Sequence, residues 1–141
     1  MREIVRILPI VLYLLVGALS LVMACRIIFS DRLLRFHEKA AGIPWEEIDR
    51  SLQAVVLALM RASGLGFLVV GALLVISPVV DYFSPHLFLR YGIPLIAVMF
   101  CAGLFLVSYS LHRKAGAATP WKGSLYAVLI LLAGIAISSA L

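Results

Sequence analysis

Apolar residues gather along the chain into four runs, 7–29, 52–77, 91–111 and 123–141, with polar residues confined to the stretches between them. Each run is about 19 to 26 residues long, enough at 1.5 Å per residue to cross a hydrocarbon core roughly 30 Å thick. None contains Asp or Glu, and the charges within them are Arg26 and Arg61. The pattern predicts an all-α membrane protein: a four-helix transmembrane bundle forming one domain over residues 1–141, with 30–51 as a cytoplasmic loop.

The polar stretches carry helix punctuation. Residues 31–39 read as an amphipathic extension of the first helix, with Leu33, Leu34 and Phe36 toward the interface and Arg32, Arg35 and Lys39 toward acidic headgroups. Gly42 ends it, Pro44 suits the first turn of the second helix, and Glu46 and Glu47 fall at the positive end of that helix's dipole. Residues 78–90 read as a short outer turn with aromatic anchors, and Pro94 falls in the first turns of the third span. Thr119 is placed to cap the fourth helix, with Pro120 at its first position and Trp121 at the interface. The segment from Phe36 to Trp45 aligns with that from Leu111 to Trp121 with one insertion. A weak internal repeat would make the chain two helical hairpins of the same orientation, although the match stops at the spans.

Composition agrees: 64% hydrophobic, 13% charged and a mean hydropathy of +1.12, where soluble domains carry about 25% charged residues. No stretch is left for a soluble catalytic module. In a membrane protein the net charge of +5 marks a cytoplasmic side rather than a nucleic-acid partner. Arg26, Arg32, Arg35, Lys39, Arg50, Arg113, Lys114 and Lys122 flank loops one and three, against Arg2, Arg6 and Arg90 on the other side. Loops one and three are therefore expected in the cytoplasm of a cell with an inner membrane, and both termini outside. The first span is read as permanent, because Ile27, Ile28 and Phe29 carry its apolar run past the cleavage-like Val22–Cys25 box. Cys25 and Cys101 lie about 9 Å apart in depth by helical rise, too far for a bridge.

Arg61 is the leading candidate for a functional side chain, with Arg26, Arg32 and Arg35 as companions in contact with lipid, a partner or an anion, and Trp45 and Trp121 as interfacial anchors. A guanidinium at the centre of a span costs roughly 2.5–3.5 kcal/mol on insertion scales. Three readings are open: snorkelling to lipid phosphates, pairing with a partner's carboxylate, or an anionic ligand. At about 100° per residue, Arg50, Ala54, Ala58, Leu65, Leu68 and Ala72 share its face, and small residues there suit a helix–helix contact. Arg26 is expected at a comparable or shallower depth.

No catalytic group, cofactor or metal site is expected. No histidine lies within a run, as paired haem ligands would require. His37-Glu38 lacks zinc-helix spacing, and no hydroxyl stands beside a base. The absence of an intramembrane acid argues against proton- or sodium-coupled transport.

His37-Glu38 through Gly42 and Trp45, Leu59-Met60-Arg61 with Gly64 and Gly66, and the start at Thr119-Pro120-Trp121 together resemble a pattern in small four-span bacterial proteins of uncharacterised role. The resemblance implies an inner-membrane address and transfers no activity. Two functions are weighed. One is an interaction or scaffold protein, or accessory subunit, that binds another membrane protein or anionic lipid; besides the bilayer, the expected partner of the chain is such a protein or, as a homo-oligomer, the chain itself. The other is a small oligomeric transporter or permeability protein for an anionic or neutral solute.

Overall fold

The computed structural model describes residues 2–116 and 118–140, the first five of these as backbone. The Arg2 and Arg6 side chains, which enter the charge count, lie outside the described residues. The protein is an all-α four-helix membrane bundle. Helix α1 (Arg2–Ile28), α3 (Arg50–Phe83), α4 (Ile93–Ala115) and α5 (Trp121–Ser139) are each long and apolar enough to cross a membrane. A short α2 (Arg35–Ala41) and a 3-10 turn (Trp45–Glu47) sit between α1 and α3.

The helices form a ring. α1 packs along α3 and also meets α5, α5 packs on α4, and α4 closes the ring against α3 through a thinner contact. Glycines fix the axial register. A Cβ on Gly17 would lie 3.1 Å from the Gly71 carbonyl oxygen and from Leu74 Cβ, while one on Gly64 would meet Ile28 Cγ1 at 2.7 Å. α1 and α3 are thus antiparallel, with backbones in near contact, as small residues allow. On the other flank of α1, a Cβ on Gly134 would lie 2.6 Å from Tyr13 Cε1. Tyr91 Oη donates to the Ser138 carbonyl (3.0 Å), tying the turn before α4 to the end of α5.

Two apolar clusters result. The central one joins Tyr13, Val16, Val70, Leu74, Ala97, Cys101 and Leu131, drawing on all four spans. The second joins Ile27, Leu33, Trp45 and Met60 at the end where α1 stops. It explains why 31–39 does not extend α1 as one helix. The chain breaks after Ile28, Ser30 Oγ donates to the Arg32 carbonyl (2.6 Å), and the loop folds back so that Leu33 and Trp45 are buried against α1 and α3. A straight helix would have carried both apolar side chains into water.

Other boundaries also differ from the sequence expectation. α3 begins at Arg50 with Asp49 as its cap, the carboxylate accepting the Ser51 N–H (3.1 Å), so Pro44 and the Glu46–Glu47 pair belong to the preceding 3-10 turn. α3 also runs on through Pro78 to Phe83 rather than ending at Ser77. Proline costs a helix one bond, but the Pro78 ring is buried in the bundle, and neighbouring helices make such prolines tolerable in spans. A π turn (Phe88–Gly92) then leads into α4, with Pro94 in its first turn and fully buried. Thr119 does not cap α5. Its hydroxyl donates to the Ser108 carbonyl of α4 (2.9 Å), and Pro120 occupies the cap position.

The two hairpins, α1–α3 and α4–α5, run in the same sense, and Gly42 and Gly116 both end helices in the left-handed conformation (φ 66° and 62°). Their spans differ, with 34 residues in α3 against 19 in α5. The shared residues therefore serve a shared turn, and the likeness does not extend to the helices.

Candidate functional site: the basic end of the bundle

Extending the α1–α3 register puts Leu65 level with Arg26, and Arg61 level with Ser30, just past the last turn of α1. The Tyr13–Gly134 contact likewise brings Trp121 level with Arg26. Arg26 is thus the deeper of the two by about 6 Å, four residues at 1.5 Å, contrary to the expected order. α3 continues from Arg61 back to Arg50, some three turns beyond the end of α1.

Arg61 is exposed, as are Ala54, Ala58, Leu65 and Leu68 on its face. The close helix–helix contact belongs to the adjacent stripe of Met60, Gly64 and Gly71, which are buried against α1. The small residues around Arg61 therefore face outward, and within the chain they make no seam. Arg26 lies nine residues from Gly17, half a turn at 100° per residue, so it points away from α3. The two arginines do not converge on one ligand. Arg32 and Arg35 are exposed at the end of the loop and the start of α2.

Lys39, Arg50, Arg113, Lys114 and Lys122 are exposed at the same end. None of these nine cations is ion-paired among the described residues. The ion pair the structure shows is at the opposite end, where Arg90 Nε–H donates to Asp81 Oδ2 (3.0 Å), while Asp81 Oδ1 accepts the His86 N–H (2.9 Å). Asp31, Glu38, Glu46, Glu47 and Asp49 share the basic end, leaving it net positive. Hydrogen bonds from Ser51 hold the Asp49 carboxyl below the usual range.

Trp45 is packed inside the second cluster, where its carbonyl accepts Gln53 Nε2–H (2.8 Å) and its ring holds the loop to α1 and α3. Trp121 lies in an aromatic cluster at the α4–α5 turn. Tyr109 stacks on Phe105 at 5.7 Å, the Trp121 ring meets Tyr109 edge-on at 5.6 Å, His112 is 6.1 Å away, and Lys122 Nζ sits 5.7 Å from the Trp121 centroid.

Beside that cluster is a feature not singled out from the sequence: an outward-facing groove of about 450 Å³ lined by Leu106, Tyr109, Ser110, Arg113 and Lys114. Their spacing of three, four, seven and eight residues from Leu106 places all five on one helical face. That periodicity was the available signal, hidden because residues 91–111 read as span and 113–114 as loop.

His37 is the remaining polar group of note at this end. Its Nδ1 is buried without a hydrogen-bond partner, its ring lies 4.0 Å from that of Phe36, and burial pushes its pKa down. Cys25 is exposed and Cys101 buried, both as free thiols. No group of three metal-ligating side chains forms among the described residues. Comparison with protein-family models, with curated proteins and with solved structures finds no match to this chain.

Proposed function

We propose that this is an interaction protein of the cell inner membrane: a bundle that binds anionic lipid or another membrane protein through its basic end. The observation that carries this reading is the ring of exposed, unpaired cations at one end of an otherwise apolar bundle, with Arg61 on an outward face flanked by exposed Leu65 and Leu68. Desolvated guanidinium groups seek phosphate or carboxylate, and this chain supplies neither to Arg26 or Arg61 among its described residues. The bundle centre supports the same reading, because Leu74 and Leu131 are fully buried where a solute path would run. On this proposal the basic end faces the cytoplasm and both termini lie outside, following the excess of Lys and Arg around loops one and three.

Purification in mild detergent, followed by mass spectrometry of co-purifying proteins and lipids, tests it. A stoichiometric membrane-protein partner or enriched anionic lipid is the expected result. A pure homo-oligomer carrying neither would favour the transporter. Reporter fusions at Gly116 and at the C-terminus test the orientation, with cytoplasmic activity expected at Gly116 alone.

A further inference from the structure

We propose that the groove on α4 is a binding site for a single anionic phospholipid, its phosphate held by Arg113 and Lys114 and one acyl chain lying along Leu106. The inference deepens the interaction reading at a face that Arg26 and Arg61 do not share, so the two can fail separately.

Four observations converge on this occupant. The groove is a concavity of about 450 Å³, and its residues change in character along the helix axis. Leu106 lies toward the middle of the span and is exposed, which suits an acyl chain. Tyr109 and Ser110 follow one turn later and bring hydroxyls to the depth of the glycerol and phosphate. Arg113 and Lys114 close the series one turn beyond, both exposed and without an ion-pair partner among the described residues. Apolar, hydroxyl and cationic groups thus succeed one another over about 12 Å, eight residues at 1.5 Å each, in the order in which a phospholipid presents chain, ester and phosphate.

Second, the depth is right. Tyr109 meets Trp121, and Trp and Tyr concentrate at the boundary between hydrocarbon and headgroups. Third, the wall is rigid. Phe105, Tyr109 and Trp121 pack on one another, and Thr119 fixes the α4–α5 turn to Ser108, so the aromatic side of the groove is set before lipid arrives and only the two cationic side chains are left to order. Fourth, the charge is complementary and strong. Two adjacent cations line the groove, and Lys122 stands over Trp121 beside it. A planar guanidinium can engage a phosphate through two N–H donors. Zwitterionic lipid offers the same phosphate but adds an ammonium that these cations repel.

Native mass spectrometry of the delipidated protein, titrated with phosphatidylglycerol or phosphatidylcholine of matched acyl chains, tests the site. The wild type is expected to retain one tightly held phosphatidylglycerol and no equivalent phosphatidylcholine. Arg113→Gln/Lys114→Gln should weaken that adduct about twenty-fivefold, roughly fivefold for each charge removed near an anionic surface. Arg26→Gln/Arg61→Gln should leave it in place. Thermal melts confirm that the variants fold, and Lys114→Gln alone serves if the double variant does not.

Wild-type retention of phosphatidylglycerol by the Arg113/Lys114 variant overturns the site, as does equal binding of phosphatidylcholine. Displacement by excess inorganic phosphate would reassign the groove to a soluble anion and overturn the lipid occupant. Loss of the adduct in the Arg26/Arg61 variant alone would return lipid binding to that side of the bundle.

Discussion

Arg61 and Asp81 lie on the same helix, 20 residues apart, which at 1.5 Å per residue is about 30 Å, the thickness of a hydrocarbon core. One is an exposed cation level with the end of α1, and the other is an acid paired with Arg90. Between them α3 carries no charged residue. The two side chains bracket a membrane's apolar thickness, so Arg61 does not occupy the middle of its span.

From that placement, folding is expected not to require Arg61. Arg61→Leu is expected to leave the thermal midpoint in detergent unchanged or raised, while reducing the lipid or protein that co-purifies. Arg61→Lys should reduce it less where charge alone matters, and nearly as much where a bidentate contact does. Unfolding of Arg61→Leu would assign the residue to an internal network. No change in either property would leave it a snorkelling side chain with no role in binding.

The α1–α3 contact has no slack. Cβ atoms on Gly17 and Gly71 would each stand 3.0–3.1 Å from the other's carbonyl oxygen, and backbone cannot give way as a side-chain tip can. Gly71→Ala should cost about 1–3 kcal/mol by overpacking. Gly103 faces open space in α4, so Gly103→Ala should be neutral or stabilising by about 0.5–1 kcal/mol. Unfolding curves in mixed micelles compare the pair, and equal effects would remove the close approach as the cause.

Ser77 is 2% exposed, and its hydroxyl has no hydrogen-bond partner in the structure. A buried unsatisfied hydroxyl costs about 1–3 kcal/mol, so Ser77→Ala is expected to raise stability, by on the order of 1 kcal/mol. The Tyr13 hydroxyl is a parallel case, near Ser138 but outside hydrogen-bond geometry, and Tyr13→Phe should likewise be tolerated. A clear loss of stability in Ser77→Ala would show that its hydroxyl is bonded, to water for example.

Burial depresses the His37 pKa in the folded protein, so the unfolded chain binds the proton more readily. The stability this residue contributes is complete above its unfolded pKa of about 6.5 and is lost as the pH falls from there toward the folded value. Amide exchange over α2, corrected for intrinsic rates, should therefore accelerate as the pH drops below about 6.5. His37→Leu should flatten that response. A variant that keeps it would place the titrating group elsewhere.

Four spans, their approximate limits and the glycine-ended turn at Gly42 were legible in the sequence, while the matching end at Gly116 came from the structure. Partition into lipid depends on the apolar length of a segment, and a left-handed cap depends on a residue without Cβ, both local properties. The cations of the basic end were legible for the same reason, and so was the lack of acids inside the runs. What neighbours decide was not. Pro78 ends a helix in isolation yet lies inside α3, because the bundle buries it. Leu33 and Trp45 read as interfacial until the fold-back gave them Ile27 and Met60 to pack on. Thr119 reads as a cap until α4 offers it the Ser108 carbonyl. The depth of Arg61 and the divergence of Arg26 follow from where Gly17, Gly64 and Gly71 let two backbones meet. Register of this kind is set by close approach between residues some 50 positions apart, and apolar periodicity along one strand of sequence is the same for every sliding of the helices.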